Sequence, residues 1–238
     1  MILSRVIGHF RKQEWTAIVI DFLIVVVGVF IGIQVSNWND ARREHAEEQR
    51  IEVRLRSDFR QLDEALTGAL DYQEEIILAL NTLRTAIERG EALSDEDEAI
   101  KIAVVRGVSY PSFVRKSATY NELVSSGRMH LVKSDALSNA LSFYNESIDN
   151  SLYNIQHARA TIGGDVSILY KYATLTPVEP GNVGIQSAAG YDIAAMAQDR
   201  EFRQRIDAII VAQTWIYANL AGQRRTIDAV LDAMGKEQ

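Results

Sequence analysis

Apolar side chains follow two different patterns along this chain, and the change between them divides it. From Trp15 to Val35 they run almost uninterrupted for 21 residues, with Asp21 the only charged side chain. At the helical rise such a run spans about 31 Å, the thickness of a bilayer's hydrocarbon core, so residues 15–36 are expected to form a transmembrane helix. A cleaved signal peptide is the competing reading. Against it stand the length of the apolar run and the segment Gln34-Val35-Ser36-Asn37-Trp38-Asn39, which offers no small-x-small cleavage site. Ahead of the run, Ile2, Leu3, Val6, Ile7 and Phe10 recur at three-to-four spacing, with Arg5, His9, Arg11 and Lys12 on the other face. Residues 1–14 therefore read as an amphipathic interfacial segment.

From residue 37 onward the apolar positions thin to one in three or four, the period of an amphipathic helix. Ile51, Leu55, Phe59, Leu62, Leu66, Ala69, Ile76, Leu80, Leu83 and Ile87 predict a long helix over about 40–89, closed by Arg89-Gly90. With no breaker between Asn37 and Asp40, the membrane helix is expected to continue into it. Ser94 with Asp95, Glu96 and Asp97 behind it predicts an N-capped short helix over 94–105, and a second short one is expected over 117–125. Ser134-Asp135 then opens a helix over 134–172, carried by Leu137, Leu141, Tyr144, Ile148, Leu152, Ile155, Ile162, Val166 and Leu169, with a kink at Gly163-Gly164. Pro177, Pro180 and their Gly and Asn neighbours mark 174–190 as a loop. A last helix over 199–235 turns Phe202, Ile206, Ile209, Ile216, Leu220, Ile227, Leu231 and Met234 inward.

Long helices with single apolar stripes must bury them against one another. The expected fold is all-α: one N-terminal transmembrane helix (15–36) continuing into an elongated antiparallel bundle over 37–238, with coiled-coil-like packing and the two short helices as caps. Pairing of the long helices between subunits is the competing arrangement. Composition agrees with a helical fold, since all 3 prolines lie at or beyond Pro111. With 0 cysteines there is neither a disulfide framework nor a thiolate metal site. Without its first 39 residues, which hold 3 basic and 2 acidic side chains, the chain carries 22 basic against 30 acidic ones, a net charge of −8, so nucleic acid is not an expected partner.

Within the span, Asp21, Gly28, Gly32 and Asn39 fall within about 20° of one line on a helix turning about 100° per residue. Gly28 and Gly32 form a GxxxG pair that lets another helix approach, and Asp21 on the same stripe would be shielded from lipid by that partner. The alternative is an Asp21 that snorkels to the interface beside glycines that are merely tolerated. Trp15 and Trp38 frame the span as interface anchors. The expected partners are thus the membrane and, through this helix, a second copy or another membrane protein. Arg5, Arg11 and Lys12 on one side balance Arg42, Arg43 and Arg50 on the other, so the basic residues alone do not orient the chain. A cytoplasmic N-terminus and an outer C-terminal domain are favoured because Asp40, Glu44, Glu47 and Glu48 dilute the second group.

Candidate chemistry is sparse. His9, His45, His130 and His157 show no HxH, HxxxH or HExxH spacing, and no GxGxxG, GxxxxGK(S/T) or GxSxG occurs. Asp95-Glu96-Asp97-Glu98 lacks the glycine-containing alternation of a calcium loop and reads as a helix start. Tyr144, Tyr153, Tyr170 and Tyr172 sit at helical spacings that suit core packing better than a ligand cleft. No catalytic residue, metal or cofactor is expected, and the chain does not read as an enzyme.

Two segments carry a resemblance. The run from Asp21 through Gly28 to Gln34-Val35-Ser36-Asn37-Trp38-Asn39 and Asp40 resembles the signature of an uncharacterised family of bacterial single-span membrane proteins, in which an acidic residue precedes a glycine-rich apolar helix ending in a QxxNWN-type exit. Thr119-Tyr120-Asn121-Glu122-Leu123-Val124-Ser125-Ser126-Gly127, followed by Leu131-Val132 and Leu137, is similar to that family's Tyr-x-x-Leu-x-x-Ser-Gly turn. Lying far apart in the sequence, they imply that the resemblance extends over most of the chain. The resemblance implies a membrane-anchored helical protein of unknown function, and it brings no catalytic residues with it; with the orientation favoured above, the chain is expected in a bacterial inner membrane with its helical domain in the periplasm. A non-catalytic anchored scaffold or accessory subunit is the function expected. The alternative is a periplasmic ligand-sensing bundle acting through a membrane partner, since only 14 residues precede Trp15.

Overall fold

The computed structural model of the chain describes residues 3–111, 115–163, 167–176 and 187–235, with side chains described from residue 18 onward except at position 161. The fold is all-α with one small hairpin. Helix α1 (Leu3–Arg89) is unbroken, as expected where neither glycine nor proline stands between Asn37 and Asp40. The chain forms two compact units, Met1–Ile51 and Glu52–Gln238. In the first, every side chain over 18–46 is exposed. It contains an 18-residue window of mean hydropathy 2.7, none of it buried, on a helix long and apolar enough to cross a membrane.

The second unit is built on heptads. Its part of α1 buries Leu55, Phe59, Leu62, Leu66, Ala69, Gln73, Ile76, Leu80, Leu83 and Ile87, in steps that alternate four and three. Helix α4 (Asp135–Ile162) and helix α7 (Arg200–Gly235) do the same, from Leu137 to Ile162 and from Phe202 to Met234. A strict repeat of about 3.5 residues keeps one seam facing the partners, which is coiled-coil packing. That strictness corrects two expected core positions. Leu152 is 39% exposed because Ser151 takes its slot, and Leu231 is only half-buried because Val230 does.

Polar contacts fix the directions. Arg56 donates to the Met234 carbonyl (2.6 Å), Arg224 reaches Asp63 (3.1 Å) and Gln73 meets Gln213, so α1 and α7 run antiparallel. Asn154 pairs with Asn219 (3.2 Å) and Arg205 donates to the Ile162 carbonyl (3.2 Å), so α4 and α7 are antiparallel too. The return between α1 and α4 is made by helix α2 (Asp97–Arg106) and helix α3 (Ala118–Ser125). Arg106 meets Glu75, Ser117 meets Asp58 and Glu122 meets Arg54, descending α1 step by step. The short helices are therefore the broken second arm of an up-down-up-down bundle rather than its caps.

Helix ends follow local chemistry with three departures from expectation. Ser134 accepts the Leu137 N–H (3.2 Å) as the expected N-cap, Ser117 caps α3 in the same way through the Tyr120 N–H (3.1 Å), and Gly90, at φ 82°, donates to the Ala86 carbonyl (2.9 Å). Helix α2, however, starts at Asp97 and not at Ser94, because the Glu96 carboxylate turns back to the Leu93 N–H (2.9 Å) and Arg89. Helix α4 stops at Ile162, where Gly163 donates to the Arg159 carbonyl (2.7 Å), and a separate helix α5 (Ser167–Tyr170) follows; Gly164 and Val166 lie outside the described residues. The expected loop 174–190 is partly structured. Strand β1 (Ala173–Leu175) pairs antiparallel with β2 (Ala188–Tyr191), Thr174 opposite Gly190, and helix α6 (Ile193–Gln198) then leads into α7. Residues 177–186 lie outside the described ones. Around this end a continuous core joins Leu80 and Leu83 of α1 to Val104, Leu169, Met196 and Phe202.

Candidate functional site

Asp21, Gly28, Gly32 and Asn39 share one line because the helix carrying them is unbroken. All four are exposed, and a Cβ added at Gly28 or Gly32 would meet nothing within 4 Å. The stripe is thus a smooth strip of helix surface, and it spans the most apolar part of the chain. Trp38 is exposed as well, with the Arg42 guanidinium 6.0 Å above its ring, an indole and a cation grouped where the apolar run ends. The Trp15 side chain lies outside those described.

The second segment that carried the resemblance is a docking element. Tyr120 and Leu123 are buried, and the Asp58 carboxylate accepts the Ser117 hydroxyl (2.8 Å) and the Thr119 N–H (2.9 Å), so α1 itself caps α3. Glu122 lies between Arg54 and Arg128, and the Arg54 guanidinium first of all holds its carboxyl below the usual range. At the far end Gly127 (φ 69°) and Arg128 donate to the carbonyls of Val124 and Leu123, a Schellman closure that demands a left-handed residue.

Polar groups inside the bundle were missed by a reading that followed only apolar positions. Gln73 and Gln213 occupy heptad slots and are fully buried; the Gln73 amide donates to the Gln213 side chain and carbonyl, and the Gln213 amide donates to the carbonyls of Gly107 (2.7 Å) and Ser109 (2.9 Å). Gln223 fills another slot with neither side-chain polar atom hydrogen-bonded. The signal was present in the sequence: with the four-three alternation extended through polar positions, all three glutamines fall on the seam.

Titratable groups near the hairpin bind structure together. Asp199 accepts from Lys171 (2.7 Å), the Phe202 N–H (3.1 Å) and the Tyr172 hydroxyl (2.8 Å), and these, Lys171 foremost, hold its carboxyl far below the carboxylate range. The Tyr191 hydroxyl donates to Asp97 (2.9 Å); burial and then that carboxylate push it up to about 12. The tyrosines do not converge: Tyr144 is buried edge-on to Phe59 with 4.8 Å between ring centroids, Tyr172 packs on Phe202, and Tyr153 stands exposed. Among the described residues no three His, Asp or Glu side chains gather as a metal ion would require. Comparison with models of protein families, with curated proteins and with solved structures finds no match.

Proposed function

We propose that this chain is a non-catalytic, membrane-anchored interaction or accessory protein: residues 15–36 cross a bacterial inner membrane with the N-terminus cytoplasmic, and the helical bundle stands in the periplasm. The observation that carries the reading is the apolar window on α1, none of which is buried. A core helix of a soluble domain would cover such a surface, because leaving it in water forfeits about 25 cal/mol for each Å². Lipid supplies the missing cover. The Asp21, Gly28 and Gly32 stripe supports a role in association, since small residues let helices approach in lipid and a carboxyl in the span is best sheltered at such a contact. The family resemblance supports the same reading.

Membranes from cells producing the full chain, washed at alkaline pH, are expected to retain it, and release into the wash would refute the anchor. In mild detergent, Gly28→Leu and Gly32→Leu are expected to weaken cross-linking of the span to a second copy or a co-purifying membrane protein. Association equal to wild type in both variants would remove the stripe as an interface.

A further inference from the structure

The outer face of α4 and α7, on the side away from α1, has the composition of an interface. Phe143, Tyr153, Val211 and Trp215 are 62%, 73%, 57% and 63% exposed there. They border two adjoining grooves of about 490 and 570 Å³ that share Asn154. The groove floor is opened by small residues, Ala158 and Ala212 in one and Gly222 in the other. Aromatic enrichment with depletion of charge marks the core of a protein–protein contact, whereas an ordinary solvated face of an acidic chain would carry carboxylates along its length. Only two fixed charges line these grooves among the described residues, Glu146 on α4 and Arg225 on α7, and neither is ion-paired with a described residue.

We propose that this face docks a second copy of the same chain about a two-fold axis running along the helices. Charge complementarity singles out this occupant. Because α4 and α7 lie side by side, that axis lays α4 of one copy on α7 of the other at the same level. Glu146 then meets Arg225 of the second copy, and Arg225 meets its Glu146, so the interface gains two symmetric ion pairs. The same operation sets Tyr153 against Trp215 of the second copy. A two-fold across the helices would instead lay α4 on α4 and α7 on α7, so that Glu146 and Arg225 would not face each other. Self-association through this patch is also spared the repulsion of a chain with net charge −7, because the patch itself is neutral.

The inference does not rest on the membrane anchor, and its test reads the bundle alone within the full chain. The sequence has 0 native cysteines. Chains bearing Glu146→Cys and Arg225→Cys, differently tagged and co-expressed, are expected to form a mixed disulfide, with each variant alone giving about tenfold less. Charge reversal by Glu146→Arg or Arg225→Glu should lower cross-linking between Tyr153→Cys and Trp215→Cys chains about tenfold, and combining both reversals should restore it. Failure of the mixed disulfide, or a double reversal no better than the single ones, overturns the proposal. So does stoichiometric shielding of these positions by a different protein. A dimer held only through the span would leave the mixed disulfide unformed and so sink this inference without touching the anchor.

Discussion

Two glutamines buried on the seam of α7 should respond in opposite ways to the same substitution. Gln213→Leu takes away the side-chain acceptor of the Gln73 amide, which keeps only the Gln213 carbonyl, and strands the buried Gly107 carbonyl and the half-buried Ser109 carbonyl. Each unsatisfied buried group costs about 1–3 kcal/mol, so the variant should lose about 2 kcal/mol or more. Gln223 has no hydrogen bond to lose from its side chain. Replacing it with leucine removes an uncompensated desolvation and should raise stability by about 1 kcal/mol. Urea midpoints of the detergent-purified chain measure both, and a loss in Gln223→Leu would mean that this amide has a partner. Gly127 is the other sensitive residue. At φ 69° it closes α3, so Gly127→Ala should cost about 1 kcal/mol and loosen Tyr120, read as faster proteolysis between α3 and α4.

At the scale of elements, the hairpin is held by Tyr191, and its stability should depend on alkaline pH. The folded hydroxyl keeps its proton to about 12 against 10.0 for a free tyrosine, with burial the larger cause and Asp97 the second. Its contribution is therefore complete below pH 10 and disappears as pH rises through 10 to 12. Tyr191→Phe should flatten the dependence of the melting temperature on pH in that window, while wild type falls across it; parallel slopes would contradict the assignment. Legibility also divides by element. The long helices were readable because a four-three repeat over eight or more positions has no competing explanation, and Gly90 and Ser134 announced the end of α1 and the start of α4. The hairpin was not readable: three- and four-residue strands are too short to show alternation, and Thr174 and Tyr191 pair only once tertiary packing brings them together. Ser94 misled because a capping hydroxyl was weighed without the carboxylate of Glu96, which took the neighbouring N–H. The span stripe was legible in full as geometry, whereas the grooves between α4 and α7 were not, because they need two helices to be seen.

For the molecule as a whole, each feature places different demands on its surroundings. On the proposed reading the apolar window lies in lipid and the acidic bundle in water, with the bundle on the outer side of an inner membrane. Single cysteines at Glu91, exposed in the turn after α1, and at Gln13, ahead of the apolar run, sample the two sides in a chain with 0 native cysteines. In intact spheroplasts treated with a membrane-impermeant maleimide, Glu91→Cys is predicted to be labelled and Gln13→Cys to be labelled only after the membrane is permeabilised. Labelling of Gln13→Cys with Glu91→Cys silent would place the bundle in the cytoplasm, and equal labelling of both before permeabilisation would contradict a chain that crosses the bilayer at all.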